Sequence, residues 1–320
     1  MDTNIGSDLS LAVQLLRDGH LVGIPTETVY GLAGNALNPA AVASIFEAKN
    51  RPSFDPLIVH ISDASEVVRY AVAFPEAARR LATLFWPGPL TLLLPRHASI
   101  PDLVTSGLDR VALRVPAHGL ALQLLKALDF PLAAPSANPF GYVSPTSAQH
   151  VVDQLGGRIP YVLDGGPCAV GLESTIVGFE ADDMVVYRLG GLSLEVMEAE
   201  VGPVRLALNQ SGNPSAPGML TSHYAPRKQL FLGDLEALIE RFDGRRLGIL
   251  RFQQSTQTTN AVLEEILSEN GNLAEAAQRL FGALRRLDAA DVDLILAEPV
   301  PQTGLGMAIN DRLRRAAAGH

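Results

Sequence analysis

Cysteine, lysine and tryptophan are scarce in this chain: of its 320 residues, one is cysteine, one is tryptophan and three are lysine. The single cysteine, Cys168, excludes an internal disulfide bond and a zinc site built from cysteine clusters. The neighbouring sequence supplies neither the histidine nor the orienting polar group that a catalytic thiol needs, so we predict that Cys168 is a small packed residue. Because a chain poor in cysteine suits a reducing compartment, we expect a cytoplasmic protein.

Long apolar runs are also missing. No stretch approaches the ~18 uninterrupted apolar residues of a membrane-spanning helix, and the first residues, MDTNIGSDLS, lack the basic start and apolar run of a signal peptide. We therefore expect neither a membrane partner nor secretion. Hydrophobic residues nevertheless make up 47% of the chain and charged residues 18%, so a large core can form and global disorder is excluded.

Positive charge is in deficit. The chain has 25 lysines and arginines against 34 aspartates and glutamates, and its net charge is −9. A protein whose main task is to bind nucleic acid usually carries a basic patch, but here the arginine pairs at 245–246, 285–286 and 314–315 are short and flanked by acids. We interpret these pairs as solvated helix faces. The charge balance predicts weak or no direct binding of tRNA by this chain alone.

Familiar metal and nucleotide motifs are absent as well. The sequence has no HExxH, no CxxC and no GxxxxGK[ST], and its seven histidines show no ligand-like spacing. We therefore predict no metal site made of side chains. A divalent cation such as Mg²⁺, if one takes part, is expected to arrive with a nucleotide.

What is present is an alternation of helical and strand patterns, which predicts an α/β protein. Residues 1–204 form the first predicted domain. Its predicted helices span 8–19, 38–50, 75–85 and about 146–155, and its predicted strands are HLVGIP, PLIVHI, TLLLPR, RVALRVP, PLAAPS, YVLDGG, STIVGFE and MVVYRLG.

Residues 205–228 are rich in glycine, proline, serine and asparagine and predict a linker. They also contain Met219, His223 and Tyr224, which an inert spacer does not need. From 229 to 320 the alternation restarts and predicts a small Rossmann-like parallel sheet. The predicted elements there are the strand LFLG, a helix from 234, the strand RLGILRF, two helices across 260–287, the strand VDLILAEPV and a last helix.

Two polar clusters follow early predicted elements. In PTETVYGL (25–32), hydroxyls and a carboxylate follow a buried strand, and Gly31 and Gly34 predict tight turns; a capped loop and a ligand-binding turn fit equally well. In KNRP, Pro52 disfavours helix at Arg51, so the chain bends and Lys49 and Arg51 can face one pocket, where two cations suit a phosphate. Taken alone, a helix cap explains these cations slightly better.

Two later loops are also polar. APSANPFGYVSPTS (134–147) offers hydroxyl, amide and backbone N–H donors to a phosphate or a ribose. DGGPCAVGLESTIVGF (164–179) places Glu173, Ser174 and Thr175 between glycine turns and a strand. Each cluster is ambiguous when it is considered alone.

In their order and spacing the clusters resemble the YrdC-like family of L-threonylcarbamoyladenylate synthases. The resemblance rests on PTETVYGL, KNRP with PLIVHI, WPGPLTLLL, ALRVPAH, APSAN and DGG…GLESTIV, and covers roughly residues 8–200. The remainder resembles the long form of the family, whose linker contains APGM…HYAP and here reads APGMLTSHYAP.

The resemblance implies an enzyme that condenses L-threonine, bicarbonate or CO2 and ATP to threonylcarbamoyl-AMP and pyrophosphate. A partner transferase complex then moves the threonylcarbamoyl group to the adenosine beside the anticodon of tRNAs that read ANN codons. It also implies a twisted, mostly open sheet around a large cavity, a small C-terminal Rossmann-like domain, and a linker that lies over the cavity.

The resemblance further implies roles for individual residues. The family's K-x-R…S-x-N tetrad, a catalytic clamp on the nucleotide phosphates, corresponds to Lys49, Arg51, Ser136 and Asn138. Further ATP contacts are implied for Arg110, Ser144, Arg188 and Tyr224. The implied contacts to L-threonine or its carbamate are Thr26, His60, Arg114, Ala134 through its backbone, and Ser174.

The chain departs from the family pattern in two places. RPG before the linker is here RLGG (188–191), which keeps Arg188 and loses the proline. The position of Arg110 is commonly threonine, so its expected contact to ATP is one of the backbone. The alternative class is an RNA- or nucleotide-binding regulatory module without turnover, which the complete tetrad disfavours.

Overall fold

The computed structural model describes residues 2–180, 183–208, 216–219, 223–255 and 261–319. These residues form two sheets with helices packed against them. The larger sheet is mixed and the smaller is parallel throughout, which confirms the predicted α/β class and its division into a large and a small sheet.

The large sheet contains eleven strands from the described residues. In chain order they are β1 (Asn4–Gly6), β2 (Val22–Ile24), β3 (Gly31–Asn35), β4 (Ile58–His60), β5 (Leu90–Pro95), β6 (Arg110–Arg114), β7 (Leu132–Ala133), β8 (Tyr161–Leu163), β9 (Thr175–Glu180), β10 (Asp183–Arg188) and β11 (Arg205–Leu206). Their spatial order is β1-β8-β2-β3-β7-β4-β6-β5-β9-β10-β11. In this order β4 and β6 lie side by side and parallel, so that His60 is directly opposite Arg114.

Eight helices surround this sheet in the described residues. They are α1 (Leu9–Arg17), α2 (Pro39–Lys49), α3 (Val67–Tyr70), α4 (Glu76–Phe85), α5 (Asp102–Thr105), α6 (Gly119–Lys126), α7 (Ala148–Leu155) and α8 (Leu194–Val201), with a 3₁₀ turn at Ala64–Glu66. Five of them, α1, α2, α6, α7 and α8, begin at a residue whose side chain caps the helix. In α2 the Asn38 side chain accepts from the Ala40 amide at 3.0 Å, and proline opens the helix, as predicted. Asn50 then ends it in the left-handed region (φ 51°), which leaves Lys49 as the last helical residue.

The expectation of tight glycine turns at Gly31 and Gly34 is wrong, because both residues belong to the extended strand β3. The reason for glycine there is close packing. A Cβ atom on Gly34 would lie 2.9 Å from Cδ2 of Leu21, and one on Gly31 would lie 3.2 Å from Cβ of Ala134. Gly31 therefore lets the strand approach the loop that follows β7, and Gly34 lets it pack closely against Leu21.

The small sheet has the order β12-β15-β13-β14. Its strands are β12 (Leu230–Leu232), β13 (Leu247–Arg251), β14 (Leu263–Ile266) and β15 (Leu294–Ala297), and its helices are α9 (Leu235–Arg241), α10 (Leu273–Ala289) and α11 (Gly306–Ala317). The prediction of two helices across 260–287 is wrong. LEEI is an edge strand, because pairing with β13 supplies hydrogen bonds that local helix propensity does not reveal, and α10 is a single helix.

One hydrophobic core joins the large sheet to α10 and α11. Its cluster includes Cys168 and Leu172 from the large-sheet region together with Leu280 and Phe281 from α10. Gly171 lies against α10 itself: a Cβ atom there would be 2.4 Å from Cα of Gln278 and 2.5 Å from the carbonyl oxygen of Ala277. The loop before β9 and the backbone of α10 are therefore in direct contact.

No helix among the residues described is long and apolar enough to cross a membrane.

Candidate active site

A cavity opens beside the ends of β2, β4, β6 and β10. It is lined by Thr26, Thr28, Val29, Gly31, Arg51, Pro56, Ile58, His60, Arg114, Ala134, Pro135, Ser136, Glu173, Arg188, Pro217, Gly218, His223 and Tyr224. Eight of the thirteen residues predicted for the site are in this lining. They come from segments far apart in sequence, including the predicted linker.

The four tetrad residues gather at one end of the cavity, but only Arg51 and Ser136 line it. The Lys49 ammonium is buried and donates to the carbonyl oxygens of Ser136 and Asn138, both at 2.5 Å. Burial, and then the charge of Arg51, hold the pKa of Lys49 well below its ordinary value. Lys49 thus holds the Ser136–Asn138 loop in place through backbone contacts and does not itself line the cavity.

Arg51 and Asn138 are held by their own loops. Arg51 forms an ion pair with Asp55 at 2.9 Å and donates to the carbonyl oxygens of Asp55 and Pro56. The Asn138 amide donates to the carbonyl oxygens of Pro139 and Tyr142 at 2.9 and 2.8 Å. The predicted bend after α2 does turn Arg51 toward the cavity, while Lys49 contacts the backbone beside it.

The residues expected to hold threonine lie close to one another at the neighbouring strand ends. Arg114 forms a buried ion pair with Glu27, with Nη2 2.6 Å from Oε1, and its Nε donates to the Gly88 carbonyl at 3.3 Å. The Thr26 hydroxyl donates to the Val29 carbonyl at 2.7 Å, which holds the PTET turn closed. Arg114 therefore lies in the cavity wall with a carboxylate already beside it.

His60 is buried next to Arg114. Burial, and then the arginine charge, lower the pKa of His60 to about 3, so its imidazole is neutral at physiological pH. A neutral ring adds no charge to the wall of the cavity. The lowered pKa of His60 also makes the free energy of unfolding depend on pH, because in acid the unfolded chain binds a proton at this histidine that the folded chain does not.

We expect the free energy of unfolding to decrease as pH falls below 6.5, the ordinary pKa of histidine, down to about 3. His60 should contribute about 1.4 kcal/mol per pH unit in this window and nothing above it. Urea unfolding of His60→Gln between pH 4 and 7 should show a slope smaller by that amount. The exposed His20, replaced by glutamine, serves as the control; equal slopes for both variants would contradict the assignment.

Arg188 and Ser174 form a second polar group at the end of β10. Arg188 donates through Nε to the Ser174 carbonyl and through Nη2 to the Ser174 hydroxyl, both at 3.0 Å. Burial lowers the pKa of Arg188 to about 10, so it remains charged at neutral pH. Gly190 follows closely: a Cβ atom there would lie 2.2 Å from the Glu173 carbonyl oxygen, so RLGG needs glycine at this position.

Glu173 lines the cavity beside these residues. Its Oε1 accepts from the Ser144 hydroxyl at 2.6 Å, and its Oε2 accepts from Nε of Arg312 at 3.0 Å. Burial alone raises the pKa of Glu173, but the charges of Arg312 and Arg188 and the hydrogen bond from Ser144 outweigh it and lower the pKa. The carboxylate is therefore ionised inside the protein.

The predicted linker contributes Pro217, Gly218, His223 and Tyr224 to the cavity lining. The Tyr224 ring stacks on Phe281 of α10 with centroids 5.6 Å apart, and the His223 ring lies edge-on to Phe140 at 5.7 Å. With these side chains in place, only about 50 Å³ of the cavity admits the centre of a water molecule. Pockets for ligands of nucleotide size have roughly 300 Å³ or more, and the space left beside these side chains is smaller.

Five predicted site residues lie outside the lining, namely Lys49, Arg110, Asn138, Ser144 and Ser174. Four of them hold lining residues or their loops. Arg110 instead donates to the Tyr187 hydroxyl at 2.9 Å and lies over the Tyr187 ring, away from the cavity. Sequence reasoning assigned no role to Glu173, His223 or Gly218; the charged residue between two glycine turns was the only signal for Glu173.

Cys168 is 2% exposed, and burial raises the pKa of its thiol to about 12, which fits a packed residue. Among the described residues no group of three or more His, Cys, Asp or Glu side chains is placed to hold a metal ion. Glu173 is the one carboxylate in the described lining, and it is paired with Arg312.

Comparison with known proteins places this geometry in a family. Residues 14–190 match the Sua5/YciO/YrdC family model, which is described as telomere recombination, and residues 192–318 match the model of the threonylcarbamoyl-AMP synthase C-terminal domain. The chain belongs to the Sua5/YciO/YrdC family. It shares the two-part arrangement of those members that carry the additional C-terminal domain.

Individual Sua5/YciO/YrdC relatives match almost end to end. The threonylcarbamoyl-AMP synthase of Bacillus subtilis is 42% identical, with 97% of this chain and 93% of the relative covered. That of Pyrococcus abyssi is 41% identical, with 97% and 94% covered. The crystal structure of Pyrococcus abyssi Sua5 complexed with L-threonine superposes with a TM-score of 0.92 at 39% identity, covering 99% of this chain and 97% of that one.

Proposed function

We propose that this chain is a threonylcarbamoyl-AMP synthase that condenses L-threonine, bicarbonate or CO2 and ATP and releases pyrophosphate. The observation that carries the proposal is that Arg51 with Ser136 and Arg114 with His60 line one cavity. Cationic and hydroxyl groups suit phosphate oxygens, and a buried arginine suits the carboxylate of an amino acid. The near full-length likeness to Sua5 with L-threonine bound supports the same function.

In this proposal Arg114, Thr26, His60 and the backbone of Ala134 hold threonine. Arg51 and Ser136 face the phosphates of ATP, and Lys49 and Asn138 keep their loop in position. Ser144, Arg188 and Tyr224 complete the nucleotide side of the cavity, and Ser174 belongs to the threonine side. The side chain of Arg110 points elsewhere, so its contribution is limited to the backbone.

The reaction has two bond-forming steps. The threonine amine attacks CO2, loses a proton and becomes a carbamate. A carbamate oxygen then attacks the α-phosphorus of ATP, and the bond to pyrophosphate breaks. Catalysis rests on positioning and on neutralising the charge of the phosphates, and no covalent enzyme intermediate is needed. The carbamate decomposes readily in water, so a cavity with little room for water protects it.

Mg²⁺ enters with ATP in this proposal, since phosphate oxygens rather than a cage of protein carboxylates hold it. The product supplies the threonylcarbamoyl group to a transferase complex that modifies tRNAs reading ANN codons, and the cytoplasm is where these substrates meet. The acidic chain itself has little affinity for tRNA, which is the task of the complex.

Mass spectrometry tests the function directly. The protein is mixed with L-threonine, bicarbonate, ATP and Mg²⁺, and threonylcarbamoyl-AMP is sought with and without threonine. We expect the product only in the complete mixture. ATP binding without product would instead indicate a regulatory module without turnover, and binding of RNA that weakens with salt would indicate an RNA-binding module.

The proposal includes the predicted division into a catalytic domain at 1–204, a linker at 205–228 and a C-terminal domain at 229–320. The linker acts as a lid in this view. His223 donates its amide to the Arg315 carbonyl at 3.4 Å and Ala225 to the Gly141 carbonyl at 2.8 Å, so the segment bridges α11 and the loop after Ser136. Both hydrogen bonds have to break for the cavity to widen.

Amide hydrogen exchange tests the lid. We expect exchange at residues 223–225 to slow by about tenfold or more when threonine and a non-hydrolysable ATP analogue fill the cavity, because opening would then cost the contacts to both ligands. The strand β13, which does not line the cavity, should exchange at the same rate with and without ligands. Unchanged exchange at 223–225 would remove the lid from the proposal.

A further inference from the structure

The C-terminal helices reach the cavity wall as well as the sheet beside them. Arg285 of α10 donates to the carbonyl oxygens of Val143 at 2.5 Å and Ser144 at 3.2 Å. Tyr142 donates its hydroxyl to Asp288 of the same helix at 2.6 Å. The loop that carries Ser144 is therefore fixed on one side by α10.

Arg312 of α11 reaches residues that line the cavity itself. Its side chain is fully buried, with Nε 3.0 Å from Oε2 of Glu173 and Nη1 2.8 Å from Oδ2 of Asp311. Its guanidinium carbon also lies 4.9 Å from the centroid of the Tyr224 ring. One side chain of the C-terminal domain thus contacts a carboxylate and an aromatic ring that both line the cavity.

A fully buried ion pair is a weak source of stability, because desolvating both charges costs about as much as their attraction returns. Such a pair is better explained by the geometry it fixes. Here the carboxylate continues to the Ser144 hydroxyl at 2.6 Å, so Arg312, Glu173 and Ser144 form a hydrogen-bonded row ending beside the nucleotide side of the cavity.

The charged and titratable groups near Glu173 come from three elements, and Tyr224 among them is neutral because burial raises its pKa. Arg188 lies at the end of β10, Tyr224 in the linker, and Arg312 on α11, where Asp311 and Arg315 are its neighbours. Arg312 contacts the carboxylate directly. Without its positive charge, a buried carboxylate would face the phosphates of ATP with only Arg188 to offset it, and burial would favour its protonated form.

We propose that Arg312 is a positioning residue of the active site, which acts through Glu173 and Tyr224 to hold Ser144 and the lid in their working arrangement. The C-terminal domain accordingly completes the catalytic cavity and is more than an appended module. This inference rests on the proposed synthase function. Arg312 does not itself touch the reacting atoms.

The test compares Arg312→Met with Arg314→Met, which removes an exposed arginine from the same helix. For Arg312→Met we expect KM for ATP to rise about tenfold or more, equivalent to about 1.4 kcal/mol. Loss of the positive charge raises the pKa of Glu173, so the acidic limb of the pH profile of kcat/KM should move to higher pH by about one unit. Arg314→Met should match the wild-type protein in both measurements.

Two further variants separate positioning from a purely structural role. Arg312→Lys keeps the charge and should recover most of the shift in the pH profile. In a Glu173→Gln background, Arg312→Met should move the acidic limb no further, because the titrating group is gone. This double variant also avoids leaving an unpaired buried carboxylate, so it keeps the test valid if Arg312→Met alone fails to fold.

The inference is overturned if Arg312→Met lowers thermal stability while KM for ATP and the pH profile stay as in the wild type. It is equally overturned if the pH shift persists in the Glu173→Gln background. Failure of the synthase function is a separate outcome, because wild-type protein and Arg314→Met would then both make no threonylcarbamoyl-AMP.

Discussion

Lys49→Met is expected to lower kcat/KM for threonylcarbamoyl-AMP formation by at least about 100-fold, because a misplacement of a positioned group by about 1 Å can cost that much. The structure gives the cause. Lys49 donates to two carbonyl oxygens, those of Ser136 and Asn138, and without it the loop carrying Ser136 loses its support. Methionine fills similar space and donates nothing, so the Asn138 carbonyl becomes unpaired and the Ser136 carbonyl keeps only the Asn138 backbone amide as its donor.

The matched control is Lys126→Met, because Lys126 also ends a helix, α6, and is exposed. It should keep wild-type activity. An unpaired buried carbonyl costs about 1–3 kcal/mol, so urea unfolding of Lys49→Met should be measured beside the kinetics. A Lys49→Met protein that is destabilised yet forms product at the wild-type rate would show that Lys49 serves only the fold.

Arg114→Met should weaken threonine binding by about 100-fold or more, because the bidentate contact that we propose to the amino-acid carboxylate would be lost. The same change leaves Glu27 buried without its partner, which should lower the free energy of unfolding by about 3 kcal/mol. Isothermal titration with threonine and urea unfolding measure the two effects separately. Both have to be known, since a partly unfolded protein also binds weakly.

The double variant Glu27→Gln/Arg114→Met separates these effects. It removes the uncompensated carboxylate, so most of the stability should return, whereas threonine affinity should stay low. Recovery of threonine binding in the double variant would mean that Arg114 matters only as the counter-ion of Glu27. Glu27→Gln alone shows what the loss of the ion pair costs when Arg114 is still present.

The local parts of the fold were predictable because capping and proline chemistry act over a few residues. The start of α2 at Asn38 and Pro39 is an example. LEEI was mistaken for helix, because its conformation depends on pairing with a strand some fifteen residues earlier along the chain. Gly34 was assigned to a turn for a related reason: the packing of Leu21 against it is visible only in three dimensions.

In the candidate site, too, features carried by short motifs were predictable and features that depend on distant contacts were not. The motifs identified eight of the eighteen residues that line the cavity, including Arg51, Arg114 and Tyr224. They did not reveal that Lys49 contacts backbone carbonyls of the Ser136–Asn138 loop, nor that Glu173 lines the cavity. The contact between Glu173 and Arg312 joins residues 139 positions apart, a separation at which no local pattern operates.

The contact at Gly171 has a mechanical consequence. Because glycine lets this loop touch the backbone of α10 with no side chain between them, there is no soft layer to absorb a displacement. A displacement of α10 by a fraction of an ångström should therefore displace the turn that leads to Glu173. A displacement of that turn should in the same way displace the helix. The mobility of the cavity wall and that of the C-terminal domain should therefore rise and fall together.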